Sequence, residues 1–262
     1  MKLISWNVNG IRAIRKKNFD EYIASEQPHV FCLQETKVGR GQLEEAALRV
    51  DGYERQIVGA VKKGYSGVAT YVREGVKYSA AKTVHGIGEQ RFDDEGRVVV
   101  THHPGFILHN IYFPSGTSGE VRQAYKYEFL DTVLAYLKGL PAAQRARSVI
   151  CGDFNICHTE IDIHHPEVAR KRELSGYLED ECAWMDSLVE AGFSDSYRLK
   201  HPKTTGKYSW WTYRAGARGK NLGWRIDYFF VGKGLVSKVK RADIHTEVLG
   251  SDHCPVVLEL DL

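Results

Sequence analysis

Eight short apolar segments constrain the fold of this chain more than any other feature of its sequence. They are rich in Val, Ile, Phe and Tyr, and their length and composition favour β-strands. Several are apolar on both faces, as expected of strands in sheets that are covered on both sides. The segments are 3–8, 30–33, 67–72, 97–103, 106–113, 148–151, 226–231 and 255–260.

Helical patterns lie between some of these segments. Residues 119–139 place apolar side chains at helical spacing and end in a Gly-Leu-Pro stop signal. A second helix is predicted over 180–192, with Asp180 as its cap. Shorter helices are predicted over 18–26 and 41–50. Because strands outnumber helices and hairpins mix with crossovers, we expect an α/β sandwich of two packed mixed β-sheets with helices outside.

Composition narrows the class of protein without choosing a function. The chain has 262 residues, of which 43% are hydrophobic and 26% charged, and these values argue against disorder, collagen and coiled coil. No segment has the composition of an interdomain linker, so we expect one domain over 1–262. No apolar run approaches the ~20 residues of a membrane span, and no signal peptide is expected. The five scattered cysteines favour reduced thiols and a cytoplasmic protein.

Polar residues stand at the ends of the apolar segments. One carboxylate in such a position is usually a turn residue or a cap, but six separate segments repeat the pattern. If these ends converge, the desolvated carboxylates repel each other and need a cation or a paired imidazole. Oxygen ligands from distant segments suit a hard divalent ion such as Mg²⁺. The residues are Asn7, Asn9, Glu35, Tyr112, Asp153, Asn155, Asp227, Asp252 and His253.

These residue types suit hydrolysis of a phosphodiester. Asp227 can pair with His253, and the resulting imidazolium can contact a phosphate oxygen. Asp153 can orient or deprotonate a water, and Asn155 can bond the same water or the phosphate. Tyr112 can donate to the phosphate or to the developing charge. Whether Asp153 or His253 is the base stays open.

Seven motifs carry a resemblance to a known family. On these motifs the chain resembles the exonuclease III family of apurinic/apyrimidinic (AP) endonucleases, within the endonuclease/exonuclease/phosphatase superfamily. QETK, GDFN and SDH mark only the superfamily, whereas NGIRA and GWRIDYFF are specific to the DNA-repair branch. The motifs, in chain order, are ISWNVNGIRA, LQETK, IYFPSG, GDFNI, YSWWTYR, NLGWRIDYFF and GSDHCPV.

The resemblance implies a four-layer α/β sandwich, as in DNase I, and one or two Mg²⁺ ions, with Mn²⁺ as an alternative ion. It implies that Glu35 is the main metal ligand, that Asp153 activates the attacking water, and that Asn155 orients the water and the phosphate. The residues expected around the metal are Glu35, Asn7, Asn9, Asp252, Asp153 and Asn155.

Aromatic and basic residues alternate in the segment 208–225, a pattern that suits a nucleic-acid groove. By resemblance, Trp210 and Trp224 line a pocket for an extrahelical abasic nucleotide. Trp211 is as readily a core residue as a groove residue. The residues expected to contact DNA are Arg12, Trp210, Trp224, Arg225 and Lys220.

One loop departs from the family pattern. Residues 162–176 carry His164 and His165 where human-type members have an Asn-rich loop. We hypothesise that this loop alters the balance between cutting at abasic sites and trimming 3′ ends; the alternative is that both histidines face solvent. Ser115 stands where human-type members have Asn, so a phosphate contact there is not assumed.

The sequence therefore predicts a monomeric, Mg²⁺-dependent enzyme that cuts duplex DNA 5′ to abasic sites and cleans blocked 3′ ends, with 3′→5′ exonuclease activity. The alternatives are a member specialised for 3′-end processing and a phospholipid or inositol phosphatase of the same superfamily. A DNA-binding module without catalysis is disfavoured, because clustered carboxylates would repel the polyanion.

Overall fold

The computed structural model describes residues 1–262 as two six-stranded sheets packed against each other, with helices on their outer faces. The twelve strands are β1 Lys2–Asn7, β2 Val30–Gln34, β3 Tyr53–Val58, β4 Val68–Arg73, β5 Ser79–His85, β6 Val98–His103, β7 Phe106–Ile111, β8 Ser148–Asp153, β9 Phe193–Asp195, β10 Asp227–Gly232, β11 Val239–Ile244 and β12 Val256–Leu260. The helices are α1 Ile11–Ile14, α2 Phe19–Glu26, α3 Gln90–Asp93, α4 Glu120–Gly139, α5 Ala142–Ala146, α6 Pro166–Lys171, α7 Glu179–Glu190 and α8 Ser196–Lys200.

Both sheets are mixed. The strand order is β11-β12-β1-β2-β4-β3 in the first sheet and β5-β6-β7-β8-β10-β9 in the second. The pairs β1–β2 and β7–β8 are parallel, and the other neighbours are antiparallel. No helix of the structure combines the length and the apolar character that a bilayer crossing requires.

Apolar side chains fill three layers of core, which explains why so many strands are apolar on both faces. Leu3, Leu108 and Phe229 belong to a core that draws on strands of both sheets. A second core includes Phe129 of α4 and lies under α4 and α7. A third includes Phe19 of α2 and lies on the outer face of the first sheet. The four-layer α/β sandwich is confirmed.

All eight predicted strands form, but two predictions about helices are wrong. Residues 41–50 hold one whole 3₁₀ turn, Ala46–Leu48, and part of another, because Glu45 takes a non-helical backbone (ψ 140°) and pairs with Arg12. Asp180 is not the cap of α7, because Leu178 holds the N-cap position. The side chain of Glu181 accepts the Leu178 N–H, so Asp180 lies in the first turn.

The central strands of the two sheets deliver polar residues to one end of the sandwich. Asn7 ends β1, and Asp153 ends β8. Asp227 begins β10 and pairs in antiparallel register with Asp153. Two carboxylates directly opposite each other destabilise a sheet unless a cation offsets their repulsion, so this register itself calls for a positive partner.

Candidate active site

Asn7 bridges carboxylates that come from the two different sheets. Its Nδ2 donates to Oε1 of Glu35 and to Oδ2 of Asp153, at 2.9 Å in each case. Ligand atoms of Glu35, Asp153 and His253 all lie within 4.8 Å of one another. The structure therefore brings together side chains that are far apart in the sequence, with the Asn7 amide placed to orient the carboxylates.

An imidazole stands between two of the carboxylates. Nδ1 of His253 lies 2.8 Å from Oδ2 of Asp227, and its Nε2 lies 3.7 Å from Oδ2 of Asp153. Ser209 donates its hydroxyl to the same Asp227 oxygen at 2.7 Å. Burial alone would lower the pKa of His253, but the two carboxylates outweigh it and raise the pKa to about 10. The imidazole is therefore a cation at neutral pH.

The pKa of Asp153 is shifted so that its charged form is disfavoured, whereas the charged form of His253 is favoured. Burial is the main cause that raises the pKa of Asp153 to about 7, and Asp227 and Glu35 act in the same direction against His253. The backbone N–H of Asn155 donates to Oδ1 at 2.8 Å, and Nδ2 of Asn155 donates to Oδ2 at 3.2 Å. A carboxylate with a pKa near the working pH suits general-base chemistry.

A second group of polar residues borders this centre. Nδ2 of Asn9 donates to Oδ1 of Asp252 at 2.9 Å, and Nε1 of Trp210 donates to its Oδ2 at 3.2 Å. Lys37 donates to Asn9 and lies 3.5 Å from Oε2 of Glu35. Lys37 thus joins the Asn9–Asp252 pair to the Glu35 carboxylate. Its place in the LQETK motif is a signal that our sequence analysis did not use.

Tyr112 lies over a buried arginine that the sequence did not reveal as part of the site. The guanidinium of Arg97 is 4.7 Å from the centre of the Tyr112 ring and donates to the Tyr112 carbonyl at 2.9 Å. Burial, together with Glu35, raises the pKa of Tyr112 well above its usual value. The phenol therefore keeps its proton and can act as a hydrogen-bond donor.

Unusual backbone geometry concentrates at this site. Asn9, Glu35, Lys37 and Asn155 all have positive φ, between 48° and 55°. A non-glycine residue in this region costs about 1 kcal/mol or more and persists only where its surroundings hold it. Each strained residue follows a central strand, where the chain turns to aim a side chain at the centre.

The donor set fits a hard divalent cation. Glu35, Asp153 and Asp252 all line one cavity and offer carboxylate oxygens, the ligands that such ions prefer. Oε1 of Glu35 accepts a hydrogen bond from Asn7, and Oε2 of Glu35 lies 3.5 Å from the Lys37 ammonium. Since the carboxylates outnumber the cations His253 and Lys37, a bound cation would relieve their repulsion.

The cavity beside these residues has a volume of about 660 Å³. Trp210 and Trp224 line it, with ring centres 6.0 Å apart and planes at 83°. Gly176 packs against Trp224 so closely that a Cβ would lie 2.8 Å from the ring, and Gly176 also has φ of 99°. Ser115 also lines the cavity. An aromatic wall therefore stands directly beside the carboxylates.

The other predicted DNA contacts divide into exposed and buried residues. Lys220 is exposed, and Arg12 is half-buried and paired with Glu45. Arg225 is only 1% exposed and pairs with Asp162 and Asp195 inside the protein. The prediction that Arg225 contacts DNA is therefore wrong, because its charge is consumed by a buried network.

Three further sequence alternatives have a definite structural position. Trp211 is buried in the core between the sheets, where Arg218 lies over its ring. His164 is half-buried and its N–H donates to the carbonyl of Gly223, whereas His165 is exposed. The effect of the two histidines on the balance between cutting at abasic sites and trimming 3′ ends stays a hypothesis.

Comparison with known proteins finds nucleases of one family, by sequence and by structure. Residues 4–253 match the Endonuclease/Exonuclease/phosphatase family. An exodeoxyribonuclease of Bacillus subtilis is 40% identical over 263 residues, covering all of both chains. The structure of an AP endonuclease from Leishmania major superimposes with a TM-score of 0.87 at 30% identity, over all of this chain and 87% of that one.

A third similar protein is a 3′ phosphatase from Neisseria, solved bound to a product DNA hairpin. It superimposes with a TM-score of 0.89 at 27% identity, over all of both chains. These matches confirm the resemblance seen in the motifs and the DNase I-like architecture. The chain belongs to the endonuclease/exonuclease/phosphatase family, within its exonuclease III-type AP endonucleases.

Proposed function

We propose that this protein is a Mg²⁺-dependent DNA-repair phosphodiesterase that cuts duplex DNA on the 5′ side of abasic sites and also cleans blocked 3′ ends. The observation that carries the proposal is the position of Asp153. It lies within one cluster with Glu35 and His253, beside a cavity walled by Trp210 and Trp224. Relatives named for exonuclease, AP endonuclease and 3′ phosphatase activities support the same chemistry.

Asp153 is the general base in this proposal. At neutral pH its pKa of about 7 leaves a large fraction ionised, whereas the His253 imidazole already holds its second proton. Asp153 accepts a proton from water as the water oxygen bonds to phosphorus. The bond from phosphorus to O3′ breaks, and O3′ takes up a proton from the Tyr112 hydroxyl or from water, leaving a 3′-hydroxyl and a 5′-phosphate.

The neighbouring side chains hold the phosphate and the water. The His253 cation faces the developing negative charge on a phosphate oxygen. Asn155, tied to Asp153 by two hydrogen bonds, orients the water or the phosphate. Tyr112 donates its O–H to the phosphate or to the leaving oxygen, since the raised pKa keeps that proton in place.

Glu35 is the principal metal ligand in the proposal, with Asp252 and Asp153 as further carboxylate ligands. Asn7, Asn9 and Asn155 orient these groups or contribute amide oxygens. Mg²⁺, or Mn²⁺ in its place, held by these residues would supply positive charge that offsets the phosphate and the leaving oxygen.

The proposed DNA contacts are made by aromatic side chains that line the cavity and by basic side chains outside it. The faces of Trp210 and Trp224 wall the base-free sugar, because an abasic nucleotide lacks the base that would otherwise stack within the duplex. Arg12 and Lys220 contact backbone phosphates outside the cavity. We further infer a monomer in the cytoplasm; the five unbridged cysteines support a reducing compartment.

The test uses an end-labelled duplex carrying one central abasic analogue and, separately, a duplex with a 3′-phosphate. The proposal expects a single incision 5′ to the abasic position and release of the 3′-phosphate, both with Mg²⁺. An uncut abasic strand together with efficient 3′ release would favour the member specialised for 3′ ends. Failure to act on either duplex would contradict the proposal.

A further inference from the structure

A fully buried ion pair joins two helices behind the cavity. Lys126 of α4 and Glu181 of α7 are both 0% exposed, and the Lys126 ammonium donates to Oε1 of Glu181. Burial lowers the pKa of Lys126, although Glu181 opposes that effect. Desolvating two charges in this way seldom adds stability compared with an apolar pair, so its other contacts indicate what the pair does.

Lys126 reaches Asn155, two residues after the Asp153 carboxylate of β8. Its Nζ donates to the backbone carbonyl of Asn155 at 2.9 Å. Asn155 has φ of 53° and uses its two N–H groups to hold Asp153. A cation on the carbonyl therefore fixes the peptide that aims the Asn155 side chain.

Glu181 organises the part of the cavity wall that packs against Asn155. Its Oε2 accepts the N–H of Gly176 at 2.6 Å and of Leu178 at 3.0 Å, and its Oε1 accepts the Ser175 hydroxyl at 3.3 Å. All three residues line the cavity, and Gly176 is the one that packs against Trp224.

We propose that Lys126 and Glu181 are a positioning pair that holds Asn155 and the wall of Ser175, Gly176 and Leu178 in a fixed arrangement, with the Asn155 carbonyl packed directly against Gly176. The inference rests on the proposed function, because it concerns the phosphodiester that Asn155 orients beside that wall. The pair acts through these neighbours and touches no reacting atom.

The main test is the double variant Lys126→Met/Glu181→Gln. It removes both charges together, so neither is left unpaired in the interior, and the unfolding midpoint should stay close to that of the wild type. We expect kcat for abasic-site incision to fall by about 10²-fold, as a displacement of about 1 Å at a reacting centre can cause. The single variant Lys126→Arg keeps the cation, so its kcat should lie between the kcat of the double variant and that of the wild type.

A coupling measurement separates positioning from a general loss of structure. If Lys126 acts through Asn155, its substitution by Met should change kcat by less than about threefold in an Asn155→Ala background. The matched control is Arg91→Met/Glu128→Gln, which removes an exposed ion pair that also involves α4. That variant should keep wild-type kcat.

Two results would overturn the inference. One is an active wild type with a double variant that keeps kcat within threefold of it. The other does not depend on activity: amide hydrogen exchange at Asn155 and Gly176 should be at least tenfold faster in the double variant, and unchanged exchange contradicts the inference. If the wild type cuts no DNA, but exchange at Asn155 and Gly176 is still at least tenfold faster in the double variant, the proposed function is contradicted and the positioning pair is supported.

Discussion

Nδ1 of His253 lies 2.8 Å from Oδ2 of Asp227. The contact fixes the ring so that Nε2 faces Asp153, and the paired carboxylate keeps the imidazole charged against the effect of burial. The negative charge of Asp227 is thus matched by the His253 cation, while Asp153 keeps a pKa near neutrality. This division of roles between two cross-strand neighbours is the basis of the proposed chemistry.

The first prediction concerns Asp227→Asn. The amide keeps the shape of the side chain but removes the charge that stabilises the His253 cation, so kcat should fall by about 10²–10⁴-fold. Steady-state kinetics on an abasic duplex measures this. Ser209→Ala, which removes one hydrogen bond to the same carboxylate, is the milder comparison and should cost less than Asp227→Asn. Equal activity of Asp227→Asn and wild type would refute the role of the pair.

The second prediction concerns the metal. EDTA should abolish cleavage and added Mg²⁺ should restore it. Glu35→Gln should raise the Mg²⁺ concentration needed for half-maximal rate by at least tenfold, because it removes the principal anionic ligand. Glu44→Gln, at a side chain 90% exposed, is the control and should leave the Mg²⁺ dependence unchanged. A Glu35→Gln enzyme with a normal Mg²⁺ titration would contradict the assignment.

The third prediction separates two basic residues that the sequence places in one patch. Arg225→Met should lower the free energy of unfolding by about 3–5 kcal/mol, because it leaves the buried Asp195 without its cation and Asp162 with Arg198 alone. Lys220→Met should leave stability unchanged, weaken DNA binding and reduce the slope of log K against log salt by about 1. Urea unfolding and salt-dependent binding measure the two effects. An Arg225→Met variant that keeps its stability but binds DNA more weakly would show that Arg225 contacts DNA.

The sheets were largely predictable because the predicted strands include every central one. The four strands that the sequence did not reveal, β3, β5, β9 and β11, are the four sheet edges. Edge strands carry polar side chains and need no apolar pattern on both faces, as the exposed Lys82 and His85 of β5 show. Apolar periodicity therefore finds the interior of a sheet and misses its borders.

The site was predictable where a polar residue interrupts or ends an apolar strand, as for Asp153 and Asp227. Partners formed by tertiary contact left no such signal. Arg225 reads as a groove cation beside Trp224, yet the fold turns it inward towards Asp162. Lys126 reads as an exposed helix residue, although the structure buries it completely. Sequence pattern shows the periodicity of a segment, but not which buried charge it will meet.

The fourth prediction concerns stability in acid. Burial lowers the pKa of His109 to about 3, whereas an unfolded histidine titrates near 6.5. The unfolded chain therefore binds this proton first, and stability falls as the pH drops below about 6.5. His109→Gln should remove about 2 kcal/mol of the stability loss between pH 7 and pH 5. Urea unfolding at the two pH values checks this, with exposed His165→Gln as the control.

The measurement that tests the account most directly compares wild type and Asp153→Asn on one abasic duplex, with the incision rate and DNA affinity determined on the same preparations. The account predicts that incision falls at least 10³-fold while binding is kept or tightened, because the substitution removes the base together with a negative charge beside the phosphate. Near-normal turnover by Asp153→Asn would contradict it.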